Sequence, residues 1–307
     1  MDNKIKDKMP VVYNNFPILL LLIINLLWFK VLEIGKVEDI PSYDAVFFLK
    51  MAQNILHFGE FGWLGYHEPC FYSIVTAAVS LLTNDFFSAG VLVSKISILS
   101  MILVTYILAK ELYGKNVGIM SAISVSFLPH IYAISGTPQS EPLYAFLLTL
   151  SVYLLWLTCK KRSIPIGIVT GILFTAAYLT RSEGILILVL LLTTSIMLAI
   201  KNRSLTKRLV ASLMVVISVF FIFSLPYLLY LKNHYGVWTL GTKTSSIYFW
   251  VREKQFHDPD PERLEWGLSP KGELNLISLT SKDLIKFWLK DPEKSINVYF
   301  KSLKGQI

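Results

Sequence analysis

Long apolar blocks alternate with short polar gaps along most of this chain. Seven blocks, near residues 16–32, 86–109, 117–134, 142–158, 164–180, 185–200 and 209–231, approach the length that crosses a bilayer, for which an α-helix needs ~20 residues over ~30 Å of hydrocarbon. One stretch breaks the alternation. Pro41 to Tyr72 (PSYDAVFFLKMAQNILHFGEFGWLGYHEPCFY) is too polar to cross, yet lies between two apolar blocks. Within it Ala45, Phe48, Leu49, Ala52, Ile55 and Leu56 recur at helical spacing, which predicts a helix over 43–57 that is apolar on one side and rests on a membrane surface. Ser42 is a suitable N-cap for it and Gly59 a suitable stop. Phe71 to Leu82 is apolar but too short to cross, as a re-entrant or interfacial helix would be. The expected fold is an all-α polytopic membrane bundle with amphipathic helices in its first external loop, residues 33–85.

Charge gives this bundle an orientation. Lys4, Lys6 and Lys8 precede the first block, and the gaps holding Lys110 and Lys115, Lys160, Lys161 and Arg162, and Lys201, Arg203, Lys207 and Arg208 are basic. The alternate gaps are not, and the first loop is acid-rich. Basic loops stay in the cytoplasm, so the N-terminus is expected inside and loop 33–85 outside, in a multi-pass protein of a prokaryotic plasma membrane. The first block carries no cleavage site and reads as an anchor. Residues 1–232 form the expected transmembrane domain and 233–307 an external polar segment.

Composition agrees. Of 307 residues 54% are hydrophobic, and the mean hydropathy is +0.55. The net charge of +8 would suit nucleic acid, but the basic residues sit in the short gaps between apolar blocks, which excludes that partner. Cys70 and Cys159 fall on opposite faces of this topology and are not expected to pair.

The chemistry-bearing residues converge on the outer face. Asp44, His67, Glu68, Glu141, Arg181 and Glu183 all fall there, at or near span ends, where charge is costly and is usually paired or functional. Two readings fit Asp44: a carboxylate stabilising the first turn of its helix, or a general base for a hydroxyl acceptor. Glu141, between Ser140 and Pro142, caps the fourth span or positions an acceptor or a divalent cation. His67 and Glu68 are ordinary loop polarity, or part of a donor or metal site. Arg181 snorkels to the interface, or holds a lipid phosphate by charge-assisted hydrogen bonds. Glu183 is a natural partner for it.

Taken together these residues resemble the membrane glycosyltransferases of the GT-C class, in particular the dolichyl-phosphate-mannose protein mannosyltransferases and the bacterial aminoarabinose and lipopolysaccharide-core sugar transferases. Tyr43-Asp44-Ala45 resembles their first-loop acidic motif, with Ala45 where the protein mannosyltransferases carry a second acid. Tyr66-His67-Glu68-Pro69-Cys70-Phe71-Tyr72 is similar to a later segment of that loop, without the lysine that accompanies the Glu in aminoarabinose transferases. Leu112-Tyr113-Gly114-Lys115 resembles a cytoplasmic turn, Pro129 with Ser140-Glu141-Pro142-Leu143 a second acidic position, and Gly171 with Leu179-Thr180-Arg181-Ser182-Glu183-Gly184 the family's Leu-Thr-Arg-Pro-Glu-Gly stretch.

The resemblance implies transfer of a sugar from a polyprenyl-phosphate donor to a hydroxyl acceptor on the outer face, with inversion. Asp44 would be the base, Glu141 would position the acceptor or a cation, Arg181 would bind the lipid phosphate, and Tyr43 and Glu183 would support them. Phe287 to Lys304 resembles the segment before a further span, so a truncated, non-catalytic membrane subunit is an alternative expectation. A transporter or flippase is another, although the charges gather at one face rather than at mid-membrane.

Overall fold

The structure is a computed structural model that describes residues 11–33, 43–59, 69–204 and 206–235, with single positions at 238, 240, 289 and 292. Among the described residues all regular structure is α-helical. The helices are α1 (Val11–Glu33), α2 (Tyr43–Phe58), α3 (Phe71–Thr83), α4 (Phe86–Tyr113), α5 (Lys115–Ser126), α6 (Pro129–Ser135), α7 (Ser140–Lys161), α8 (Ile164–Tyr178), α9 (Gly184–Lys201) and α10 (Lys207–Tyr235). Four of them, α4, α7, α9 and α10, are long and apolar enough to cross a membrane. The protein is therefore an all-α, multi-pass integral membrane protein.

Internal contacts divide the chain into two units, Met1–Phe61 with Cys70–Phe221, and Gly62–Pro69 with Ile222–Ile307. The second unit includes the end of α10, where Lys232 places its Nζ 4.7 Å from the centre of the Trp238 ring. His67, Glu68 and nearly all of residues 241–307 lie outside the described residues. The remaining candidate residues belong to the first unit.

In that unit α2 buries Ala45, Phe48, Met51 and Ala52 and exposes Asp44, Val46, Lys50 and Gln53, a one-sided helix. It ends at Gly59, whose φ of 66° suits a residue without Cβ and whose N–H donates to the Ile55 carbonyl at 3.2 Å. α3, at 13 residues, is about 20 Å long and does not cross. Asn84 closes it in the left-handed conformation. Asp85 then caps α4 by accepting the Ser88 N–H at 2.7 Å.

The apolar stretch 117–134, expected as one helix, is two. Leu128 is extended, and Pro129 occupies the first turn of α6, where its missing N–H costs nothing. Pro129 also disfavours a helical residue before it, so the break falls at Phe127 and Leu128. Apolar residues still dominate on both sides, Ser126 and His130 apart, so a span count does not register the break.

Small residues let the helices approach. A Cβ on Gly167 would lie 2.9 Å from the Ser212 carbonyl oxygen, and one on Gly171 would lie 2.8 Å from that of Val216. These two glycines, four apart on α8, form a backbone-close seam with α10. Thr175 adds a hydrogen bond across it to the Phe220 carbonyl at 3.3 Å, and Thr158 and Thr170 join α7 to α8 at 3.1 Å. The core beneath the candidate residues collects Phe48, Tyr72, Val93, Leu143, Leu147, Ala176 and Ala177, drawn from α2, α3, α4, α7 and α8.

Candidate functional site

The site is built where α7 begins and α8 ends. Before α7, the turn 136–139 is pressed onto α4. A Cβ on Gly90 would sit 2.6 Å from the Pro138 Cβ and 3.1 Å from the Tyr72 hydroxyl, so only glycine leaves room there. Ser94 donates from its hydroxyl to the Thr137 carbonyl at 3.0 Å, and the Tyr72 hydroxyl donates to the Gly90 carbonyl at 3.4 Å. Burial pushes the Tyr72 hydroxyl above its ordinary range, and the negative charge of Glu141 adds to the rise. Tyr72 thus remains a neutral donor beside the acid. α7 then starts at Ser140 with Glu141 in its first turn, where a carboxylate faces the positive end of the helix dipole. Pro142 follows at a position where no N–H is needed.

After α8 the chain reverses through residues 179–184. Thr180 donates from Oγ1 to the Ala176 carbonyl at 2.7 Å. The Arg181 N–H donates to the Ala177 carbonyl at 2.9 Å, and the Gly184 N–H returns to the Arg181 carbonyl at 3.0 Å. A Cβ on Gly184 would lie 3.0 Å from the Tyr178 nitrogen, so the turn closes tightly. The Phe71 N–H donates to the Leu179 carbonyl at 2.9 Å, which ties the start of α3 to this turn.

These two constructions bring Arg181 against two acids. Its Nη1 donates to Glu141 Oε1 at 2.6 Å, and its Nη2 lies 3.5 Å from Glu183 Oε1. The Arg181 side chain is 18% exposed, that of Glu141 40% and that of Glu183 43%. Two carboxylates against one guanidinium leave one negative charge in excess. The Glu183 Oε2 and Ser140 Oγ atoms are buried without a protein hydrogen-bond partner, so the cluster keeps polar capacity that protein groups do not satisfy. Tyr144, one turn beyond Glu141, lies within electrostatic range of both Glu183 and Arg181.

Asp44 is carried to the same core by a different route. It is exposed in the first turn of α2, one turn before Phe48. The Phe48 ring meets that of Tyr72 edge-on at 5.0 Å between centres, and the Ser73 hydroxyl donates to the Phe48 carbonyl at 3.1 Å. Among the described residues the ion pairs to Arg181 come from Glu141 and Glu183, not from Asp44. Tyr43 opens α2, and its side chain lies outside the described residues. No group of three or more His, Cys, Asp or Glu side chains among the described residues is arranged to hold a metal ion. The sequence pointed to Glu141 and Arg181 separately, without pairing them. Ser140 and Tyr72 entered only as members of the resembling motifs, and Gly90 and Thr137 gave no sign, because small and hydroxylated residues are common in membrane helices.

The profile of the dolichyl-phosphate-mannose-protein mannosyltransferases matches residues 67–230, more than half of the 307 residues. The chain belongs to this family. It is a membrane glycosyltransferase of the GT-C type. The matched region contains α3 to α9 and with them Glu141, Arg181 and Glu183, whereas Asp44 and α2 precede it. A search of curated proteins returned no match for the chain.

Proposed function

We propose that this glycosyltransferase takes its sugar from a polyprenyl-phosphate donor and passes it to a hydroxyl acceptor at the outer face of the plasma membrane. The observation that carries this reading is the Arg181 guanidinium, held between Glu141 and Glu183 at the end of the bundle, within the region that defines the family. A phosphate headgroup whose lipid tail lies in the bilayer reaches a helix end of this kind. The tail supplies binding energy remote from the reacting carbon.

In the proposed reaction Asp44 takes the proton of the acceptor hydroxyl. The acceptor oxygen bonds to the anomeric carbon from the face opposite the phosphate. The bond from that carbon to the phosphate oxygen breaks, its electron pair stays with the phosphate, and Arg181 stabilises the charge. One displacement inverts the configuration. Glu141 positions the acceptor or a cation, Tyr43 and Glu183 support the site, and His67 and Glu68 contribute to a donor or cation site. The N-terminus lies in the cytoplasm in this reading.

The test uses the full chain, purified and reconstituted in vesicles with polyprenyl-phosphate mannose and other polyprenyl-phosphate sugars, together with hydroxyl-bearing peptide and glycan acceptors. Sugar recovered on an acceptor, with inverted configuration, is the expected result. Donor lipid crossing the bilayer without transfer overturns it, as does labelling that puts positions 44 and 141 on different sides of the membrane.

A further inference from the structure

We propose that Glu141 competes with the donor phosphate for Arg181, yields the guanidinium when the donor binds, and helps expel the polyprenyl phosphate left after transfer. The inference rests on the phosphate-donor reading above and concerns the order of events at that site.

Charge sets the problem. With both carboxylates against it, Arg181 presents an approaching anion with a neighbourhood that is negative on balance. Both η nitrogens already face an acid, so a phosphate gains the bidentate Nη1–Nη2 edge only when one acid withdraws. The two acids differ in how they are held. Glu183 lies two residues from Arg181 on one compact turn, where the Leu186 N–H donates to its carbonyl at 3.1 Å, and one of its carboxylate oxygens is buried. It travels with Arg181 and orients it through Nη2. Glu141 comes from another helix, forty residues away, and reaches Arg181 with the shorter contact, 2.6 Å. Its side chain is also 40% exposed, so it can rotate into water without moving the backbone. Glu141 is therefore the acid that both blocks Arg181 and is free to leave.

A phosphodiester donor carries one negative charge and can meet the guanidinium through two oxygens, which favours it over a single carboxylate contact. The product is a phosphomonoester whose charge lies between one and two at neutral pH, by the same ionisation that governs other phosphate monoesters. Glu141 and Glu183 repel that product more than they repel the donor. The return of Glu141 to Arg181 then favours release.

The measurement is binding of farnesyl phosphate, a soluble short polyprenyl monophosphate, to the purified full chain and its variants. Glu141→Gln removes the competing charge and is expected to tighten binding by about tenfold, the equivalent of one charge-assisted contact no longer displaced. Glu141→Ala, which also removes the charge, is expected to tighten binding as Glu141→Gln does. Arg181→Gln is expected to lose binding. A purely structural ion pair gives the opposite sign, with Glu141→Gln binding more weakly and melting lower. Unchanged or weaker binding by Glu141→Gln, alongside loss of binding by Arg181→Gln, overturns the competition and leaves the donor reading standing. Wild-type and Glu141→Gln chains that both bind no farnesyl phosphate, or an Arg181→Gln chain that binds it normally, overturn both.

Discussion

The two ends of α7 each carry a pair of opposite charges, and the pairs are built differently. At its start Glu141 meets Arg181 at 2.6 Å, with the arginine 18% exposed, beside a second acid and buried polar atoms that lack partners. At its end Lys160 meets Glu111 at 3.5 Å, with side chains 52% and 46% exposed. There the Lys160 ammonium also lies 4.3 Å from the centre of the Trp156 ring. An exposed pair of the second kind contributes ~0–1 kcal/mol, screened by salt. Its lysine satisfies itself on an aromatic face at an interface. The first pair is half withdrawn from water, is short of positive charge, and sits where hydrogen bonds from α3, α4 and α8 fix the geometry. The lesson is that polarity at a membrane surface does not by itself mark a site. Burial, excess charge and unsatisfied partners make the first pair the stronger candidate.

Substitutions can break this comparison in a definite order. The largest effect is expected at Asp44, the exposed acid in the first turn of α2. Asp44→Asn should lower sugar transfer by ~10²–10⁴-fold, the usual contribution of a general base, with the protein still inserted in the membrane; Glu111→Gln at the opposite end should leave transfer rates near normal. Turnover assays on equal amounts of folded protein decide between them. Next, Arg181→Gln should lower turnover by ~10²–10³-fold, the cost of losing one donor to developing negative charge. Lys160→Gln should change it by less than about twofold, as expected of a weak exposed pair.

A third contrast separates packing from chemistry. A Cβ on Gly90 would lie 2.6 Å from Pro138, and one on Gly118 would lie 2.9 Å from the Lys110 Cβ and 3.0 Å from the Tyr106 carbonyl oxygen. Gly90→Ala and Gly118→Ala should each destabilise by ~1–3 kcal/mol through overpacking, read as lower melting temperatures. Only Gly90→Ala should also lower transfer per folded molecule, because Pro138 leads directly into the turn that carries Glu141.

The smallest effect concerns Asp85, which caps α4. The Ser88 N–H and then its hydroxyl hold the Asp85 carboxyl below the ordinary range, against an opposing effect of burial that outweighs each of the smaller contributions from the N–H groups of Phe87 and Phe86. Its folded value lies below the unfolded one, so the stabilisation is present above the ordinary carboxylate pKa of ~3.9 and fades as pH falls through the folded value. Asp85→Ala should cost ~0.5–2 kcal/mol at neutral pH. Wild type and variant should converge only in acid, below about pH 4, as thermal melts across pH would show.

Much of the architecture was legible in the chain. The apolar blocks marked a multi-pass helical protein, and the spacing of Ala45, Phe48 and Ala52 marked a one-sided helix in the first loop. The pairing of Arg181 with Glu183 was legible too, since two residues on one turn can hardly avoid each other. The break before Pro129 was less so, because the residues on both sides are mostly apolar and hydropathy does not register backbone direction.

Sequence alone determined which segments can live in lipid, because hydrocarbon demands an unbroken apolar surface and internally satisfied backbone groups. It also determined that acids and an arginine would lie near helix ends, where charge is affordable. Tertiary structure decided which acid Arg181 meets first. Glu141 and Arg181 are separated by forty residues, two helices and the turn between them, and no local periodicity encodes that approach. It follows from Gly90 admitting Pro138, from Ser94 holding Thr137, and from the α8 turn closing on Gly184. Each of these is a contact of a few ångströms, set only once the helices have packed.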